Sequence, residues 1–297
     1  MRFLVTGATG FIGQHLVQQL LDTGRELSLL LREEYGLGKL LPPALAGRRR
    51  QFQTVYADLR SYPLVSRAIR ESQPEVVFHL AAAGVTDPFL NIETALRHNL
   101  SGTLHLLRAC FEDNQTTKQI ITGRTPGENS AMNVYAASKA ATWNFCQMYG
   151  RTREWPIVGA MIFQAYGPGQ PAHALIPSAI AAAQEGRDFP MTSGRQQRDW
   201  IYVSDVVAGL MAMAQVSLPP ASTVDLGTGR ATTTAEVVQT IYQLSGRGGQ
   251  PLIGALSDRP GEELQQIANS QQTLNQLGWQ AQLPLQQGLK KLITQAQ

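Results

Sequence analysis

Cysteine is nearly absent: the 297-residue chain has two, Cys110 and Cys146, and neither belongs to a C-x-x-C pair or a Cys/His cluster. No metal centre is therefore expected, and both residues read as small apolar groups buried in helices. Aromatic residues make up only 7% and the net charge is a slight +3, which gives nucleic-acid binding little support. The one basic run, Arg48-Arg49-Arg50, lies in a Pro/Gly-containing connection and reads as a solvated loop. No uninterrupted apolar run approaches the ~18 residues of a membrane span. The opening MRFLVTGATGFIG turns glycine-rich too soon for a signal peptide. The expectation is a soluble, cytoplasmic enzyme with no membrane contact.

What the chain has is apolar content in regular alternation. At 43% hydrophobic residues it can bury a large core, and its length suits one large domain with a smaller lobe. RFLVTG, ELSLLLR, FQTVYAD, EVVFHLAA, KQIIT and PIVGAMIF read as strands. Helices are expected in IGQHLVQQLLDTG and near 61–72, 91–113 and 135–150. This is the pattern of an α/β fold, a Rossmann-type doubly wound parallel sheet with right-handed crossovers. From Tyr166 the alternation loosens: AYGPGQPAHALIP is a turn-rich link, TVDLGTG reads as a further strand, and AEVVQTIYQLSG and QQTLNQLGW as helices. The expected division is a cofactor-binding domain over 1–165, with a later return near 200–229, and a smaller lobe drawn mainly from 166–297. Ligands of open α/β sheets sit at the carboxyl ends of the strands, where that lobe is expected.

VTGATGFIG puts Gly7, Gly10 and Gly13 at the junction of the first strand and first helix. A tight turn, close approach of backbone N–H groups to a pyrophosphate, and a helix N-terminus aimed at its charge all favour glycine there. Thr9, Phe11 and Ile12 fill the same turn and join the expected cofactor contacts. The spacing is G-x-x-G-x-x-G, and TGATGFIG resembles the extended branch of the short-chain dehydrogenase/reductase family. The resemblance implies that Asp58 of YADLR, with Leu59, meets the adenine. It also implies that Ala81, Ala82 and Ala83 of HLAAAG, small side chains, let the cofactor lie against the backbone, with Leu80 beside them among the cofactor contacts.

At the end of the second strand, where an acidic residue would hold the ribose 2′-hydroxyl, the chain has Arg32 in LLLREE. A guanidinium suits a 2′-phosphate through charge-assisted bidentate bonds. NADP(H) is therefore favoured; NAD(H) stays open, because Glu33 and Glu34 follow and could reclaim the ribose. A surface strand-end charge is the plain alternative for Arg32.

Tyr135 and Lys139 in VYAASK are one helical turn apart and project from one face. A phenol with a pKa near 10 is a poor base at neutral pH, and a nearby ammonium and an oxidised nicotinamide would both lower that value. With the glycine motif upstream, the family resemblance assigns Tyr135 as the acid/base and Lys139 as its pKa modulator and a ligand of the nicotinamide ribose. It places a third, hydroxyl-bearing residue at the end of the fifth strand: Thr125, with Thr122 the alternative if the strand ends earlier. Asn99 in RHNLSGTLHLL matches the family's N-x-x-G-T helix and is expected to organise structure near the site.

AYGPGQ, GRQQRDWIYVSDVV, DLGTGRATT, RPGEE and LGW resemble successive landmarks of nucleotide-sugar epimerases, reductases and dehydratases. The resemblance puts Arg198 and Arg259 on the diphosphate of a nucleotide-diphosphate sugar, a contact planar guanidinium groups suit. Ion pairs with neighbours such as Asp199 or Glu262 are the alternative. Gln164 is expected to touch the substrate's phosphate or sugar, whereas His173 reads as a solvated loop residue and Met161 departs from a frequent arginine. The 4,6-dehydratase branch has an Asp-Glu pair directly after the threonine; here Pro126 and Gly127 follow it, with Glu128 only third. Reduction of an NDP-4-keto-6-deoxy sugar by NADPH is the favoured expectation, since Arg32 and the short loop before Tyr135 resemble ketoreductases such as CDP-abequose synthase. A 4-epimerase retaining NAD is the alternative, with a dehydratase or a catalytically silent NADP(H)-binding protein behind it. The family also implies a homodimer through the helices bearing Asn99 and Tyr135.

Overall fold

The computed structural model describes residues 1–85, 87, 89–259 and 261–295. The chain divides into two compact units, one of residues 1–161 with 210–224, the other of residues 162–209 with those from 225 on.

In the first unit, β1 (Arg2–Thr6), β2 (Glu26–Leu31), β3 (Gln53–Tyr56), β4 (Val76–His79), β5 (Gln119–Arg124) and β6 (Ile157–Ile162) lie in the order β3-β2-β1-β4-β5-β6, with Thr223–Leu226 beyond β6. The pairings among β1 to β6 are all parallel, so the expected doubly wound α/β fold is present. The apolar runs read as strands are buried on both faces, as a parallel sheet under helices requires; Leu4, Leu29, Val77 and Ile120 are fully enclosed. Helices Tyr62–Ser72 and Gly102–Phe111 supply Val65, Ile69, Leu106 and Leu107 to the same core. Cys110 and Cys146 are free and buried. Burial pushes both thiols up to about 12, so they pack as neutral apolar groups. The chain order reverses between β1 and β4, the switch point at which open α/β sheets bind ligands.

The helix expected over 91–113 is broken into three pieces. Asn91 caps the start by accepting from the Glu93 N–H at 2.8 Å; Ile92–Ala95 is α-helical, Leu96–Ser101 is a π-turn, and Gly102–Phe111 resumes the α-helix. The Asn99 carbonyl accepts from Thr103 Oγ1 at 2.6 Å; Thr142 Oγ1 lies 3.1 Å from it but has its shorter bond, 2.7 Å, to the Ser138 carbonyl. Such single-turn bulges cluster at functional sites. The helix Val134–Arg153 is longer than the 135–150 expected; the Asn133 side chain caps it through the Ala136 N–H at 2.8 Å.

In the second unit, Gln164–Tyr166 pairs in parallel with Trp200–Tyr202. Gln197–Arg198 lies between Thr232–Thr233 and Gln265–Gln266. Tyr166 is fully buried and donates to the Leu285 carbonyl at 3.2 Å. The strand expected over 223–229 stops at Leu226, because the following turn wraps around the fully buried Asp199. Its carboxylate accepts the backbone N–H groups of Thr228 (2.8 Å), Gly229 (2.7 Å) and Ala268 (3.2 Å), and the Thr228 hydroxyl at 2.6 Å.

Removing the Asp199 carboxylate would leave three backbone donors unpaired. An Asp199→Ala variant is therefore expected to lose about 3 kcal/mol of stability, measured by urea unfolding; a loss under about 1 kcal/mol would show that the turn holds without it.

Candidate functional site

The glycine turn follows β1. Gly7 takes φ +72°, and a Cβ there would stand 2.6 Å from the Ala81 nitrogen and the Leu80 carbonyl carbon. A Cβ on Gly13 would collide with the Gly7 carbonyl oxygen and stand 2.9 Å from the Ala8 Cα. Gly10 closes the turn through its N–H to the Gly7 oxygen at 3.0 Å, and caps the helix Phe11–Asp22 without a side chain. Thr9, Phe11 and Ile12 are half-buried in the same turn. The result is a cradle of backbone N–H groups at a helix N-terminus, walled by Leu80 and Ala81, that fits a dinucleotide pyrophosphate. Ala82 follows, exposed.

Beyond β2, Arg32 is 62% exposed and pairs with Glu34 at 2.8 Å, and Lys39 pairs with the same carboxylate at 2.6 Å. Asp58, after β3, accepts Arg60 Nε at 3.0 and 2.9 Å; that guanidinium holds its carboxyl below the usual carboxylate range. The Leu59 carbonyl accepts from His105 Nδ1 at 2.8 Å.

A buried polar chain joins this end of the sheet to the helix Val134–Arg153. Thr6 Oγ1 and His79 Nδ1 are 2.7 Å apart, and His79 Nε2 and Thr103 Oγ1 are 2.8 Å apart. Thr103 gives its one hydroxyl hydrogen to the Asn99 carbonyl, so it accepts from His79 Nε2–H, and Nδ1 accepts from Thr6. The Asn99 side chain accepts the Ala83 N–H at 2.8 Å and donates to the Ala83 carbonyl at 3.0 Å and to Ser138 Oγ at 2.9 Å. Ser138 in turn donates to the Tyr135 carbonyl at 2.7 Å. Burial, helped by the Lys139 charge, pushes the His79 pKa down to about 3, so the imidazole is neutral and its tautomer fixed.

Tyr135 is half-buried and Lys139 buried, one turn apart on this helix. Neither the Tyr135 hydroxyl nor the Lys139 ammonium has a hydrogen-bond partner among the described residues. A buried ammonium without one is costly unless a ligand supplies acceptors, as ribose hydroxyls do. Burial raises the Tyr135 phenol above its usual range, with the Glu128 charge adding to it. Burial lowers Lys139, and Glu128 opposes that shift. Thr122 lies inside β5 and is 3% exposed; Thr125 lies past the end of the strand and is half-buried.

Gln164, Arg198 and Arg259 belong to the second unit. Arg198 is 9% exposed and pairs with Glu262 at 3.1 Å, while its neighbour Asp199 faces the turn at 228. Gln164 and Arg259 are exposed, and Pro260 of the RPGEE stretch lies outside the described residues.

Sequence reasoning passed over His79, Ser138 and Arg124, and weighed Glu128 only by its place after Thr125. Partners 24 to 73 positions away carry the first two, so local pattern holds no signal for them. The Arg124–Glu128 pair is i,i+4 and could have been noticed as opposite charges bracketing Thr125. Among the described residues no His/Cys/Asp/Glu group could hold a metal, and no helix is long and apolar enough to cross a membrane.

The family model described as NAD dependent epimerase/dehydratase family matches residues 3–227. A dTDP-glucose 4,6-dehydratase of Xanthomonas campestris pv. campestris is 27% identical over 98% of this chain and 92% of its own. The solved UDP-glucose 4-epimerase of Thermus thermophilus, complexed with NAD, has a TM-score of 0.82 at 26% identity, covering 99% of this chain and 98% of that one. MoeE5, solved with UDP-glucuronic acid and NAD, has a TM-score of 0.84 at 27% identity, covering 100% and 99%.

The neutral His79 gives folding a pH dependence of known sign. Its folded pKa lies below the ordinary value of 6.5, so the unfolded chain takes up the proton first. Its contribution is complete above about pH 6.5 and is lost as pH falls toward about 3, by up to about 1.4 kcal/mol per unit. Urea melts across that window are expected to show a steeper loss in the wild type than in His79→Asn; equal slopes would contradict the assignment.

Proposed function

The chain belongs to the NAD dependent epimerase/dehydratase family, the nucleotide-sugar type of the extended short-chain dehydrogenases/reductases, and on that premise we propose that it reduces an NDP-4-keto-6-deoxy sugar with NADPH. The observation that carries this reading is the company of Tyr135 and Lys139. Their polar ends have no protein partner among the described residues, and the nearby carboxylate of Glu128 is already taken by Arg124 and the Thr125 N–H. Water elimination needs carboxyl groups free to move protons, and Pro126 and Gly127 occupy the positions after Thr125. What remains is one proton donor and its supports, which is what carbonyl reduction requires.

A nicotinamide cofactor bound here would supply the hydride. The Gly7–Gly13 turn would hold its pyrophosphate, Asp58 and Leu59 the adenine, and Lys139 the ribose hydroxyls. Tyr135 donates the proton to the carbonyl oxygen, and Thr125 hydrogen-bonds that oxygen and orients it. Asn99 fixes the Ala83 backbone and, through Ser138, the first turn of the Tyr135 helix. In the second unit Arg198 and Arg259 are ligands of the diphosphate, and Gln164 is a contact of the phosphate or sugar. Arg32, exposed at the end of β2, supports a 2′-phosphate and hence NADPH. The exposed Ile92, Leu96, Phe145 and Met148 on the segments bearing Asn99 and Tyr135 support a homodimer.

A 4-epimerase with retained NAD is the second reading, favoured by the NAD complexes of the solved relatives. Mass spectrometry of small molecules released on denaturation separates the two: retained NAD supports the epimerase, no released nucleotide the reductase.

Tyr135→Phe is expected to slow keto-sugar reduction about 10³-fold while NADPH binding, followed by its fluorescence, persists; full activity in the variant would refute the mechanism. Arg32→Asp is expected to shift the NADPH/NADH ratio of kcat/KM toward NADH by at least about tenfold; an unchanged ratio would remove Arg32 from cofactor choice.

A further inference from the structure

The basic run Arg48-Arg49-Arg50 leads into β3, with Arg49–Gln51 a single 3₁₀ turn. Two of its arginines hold that connection. Arg48 bonds to Asp22 at 2.5 Å and to Gln51 Oε1 at 3.0 and 2.8 Å, and Arg49 bonds to Thr54 Oγ1 at 2.8 Å and lies 5.5 Å from the Phe52 ring centre. Arg50 has no hydrogen-bond or ion-pair partner among the described residues. It stands on the wall of a cavity of about 450 Å³ at the amino ends of β1, β2 and β3, a volume in the range of small-molecule sites. The glycine turn and the fold's customary ligand position lie at the opposite, carboxyl ends of these parallel strands. Arg2 lines the same cavity; its Nε donates to the Gln73 carbonyl at 2.8 Å, and its terminal nitrogens have no partner among the described residues.

Bonds already made set the polarity of the remaining wall. Gln51 Oε1 is taken by Arg48, and Gln53 Oε1 accepts from Ser28 Oγ at 3.1 Å, so both amides have only N–H groups left to offer. Ser28 and Ser72 are buried and have spent their hydroxyl hydrogens, the first on Gln53 and the second on the Ala68 carbonyl at 2.7 Å, so each is left as an acceptor. Glu26 is the one carboxylate of the lining, which two guanidinium groups outweigh. We propose that this cavity is a second ligand site and takes a small sugar phosphate: the phosphate on Arg2 and Arg50 with the amides of Gln51 and Gln53, the sugar hydroxyls on Ser28, Ser72 and Glu26. Guanidinium groups offer paired donors to phosphate oxygens, and the acceptors beside them suit hydroxyl groups that a bare phosphate does not carry. The site lies wholly in the first unit, and it stands independently of the ketoreductase reading.

The test is calorimetric titration of the full chain with glucose 6-phosphate, ribose 5-phosphate and inorganic phosphate, in the wild type and in Arg50→Gln. Arg50 has no partner in the fold to lose, so the variant keeps its structure. At least one of the two sugar phosphates is expected to bind at least about tenfold more tightly than inorganic phosphate, and to lose at least about tenfold in affinity in Arg50→Gln. Preference for glucose 6-phosphate identifies a hexose phosphate as the ligand; preference for ribose 5-phosphate identifies the ribose phosphate of a nucleotide. No binding of either sugar phosphate would overturn the proposal. So would binding that Arg50→Gln leaves unchanged, which places the ligand elsewhere on the chain, or inorganic phosphate held as tightly as the sugar phosphates, which marks an adventitious ion only.

Discussion

A hydroxyl has one hydrogen to give, and Thr103 gives its own to the carbonyl of Asn99. That bond, buried in the first unit, fixes the direction of every bond in the chain from Thr6 through His79 to Asn99. Asn99 then spends its amide on the Ala83 backbone and Ser138. Ser138 bonds to the carbonyl of Tyr135, so the end of β1, the alanines after β4 and the helix bearing Tyr135 and Lys139 are tied by one line of satisfied donors. In a medium without water each unmade bond of such a network costs about 1–3 kcal/mol. Its members therefore hold one arrangement, and the π-turn that carries Asn99 is part of the same network.

Electrostatics at the site follow from burial. Desolvation pushes His79 neutral, Tyr135 toward phenol and Lys139 toward amine. The first two suit a site that delivers a proton; the third would strip the site of its cation. Glu128 opposes that third shift, and Arg124 holds Glu128 in place.

Legibility in the sequence tracked how local each feature is. The Gly7–Gly13 turn was readable because its function is backbone conformation over a few neighbouring residues. The parallel sheet was readable because strands buried on both faces must be apolar throughout. The spacing of Tyr135 and Lys139 follows from helix geometry alone. The π-turn within 91–111 was not readable: nothing in RHNLSGT announces that the Asn99 side chain will bond to Ser138, 39 positions away. The end of the strand at Leu226 was hidden for the same reason, since the turn is shaped by Asp199, 29 residues upstream. The contact of Glu128 with Thr125 was hidden too, because only the 3₁₀ turn returns its carboxylate to the Thr125 N–H.

The central claim is that this first unit moves a hydride to a sugar carbonyl and a proton to its oxygen. It is met most directly by incubating the purified protein with NADPH deuterated at the transferring face of nicotinamide C4 and an NDP-4-keto-6-deoxy sugar. The sugar is then examined by NMR. One deuterium at sugar C4, on a single face, is the result the account predicts; reduced sugar without deuterium at C4, or no reduced sugar at all, would contradict it.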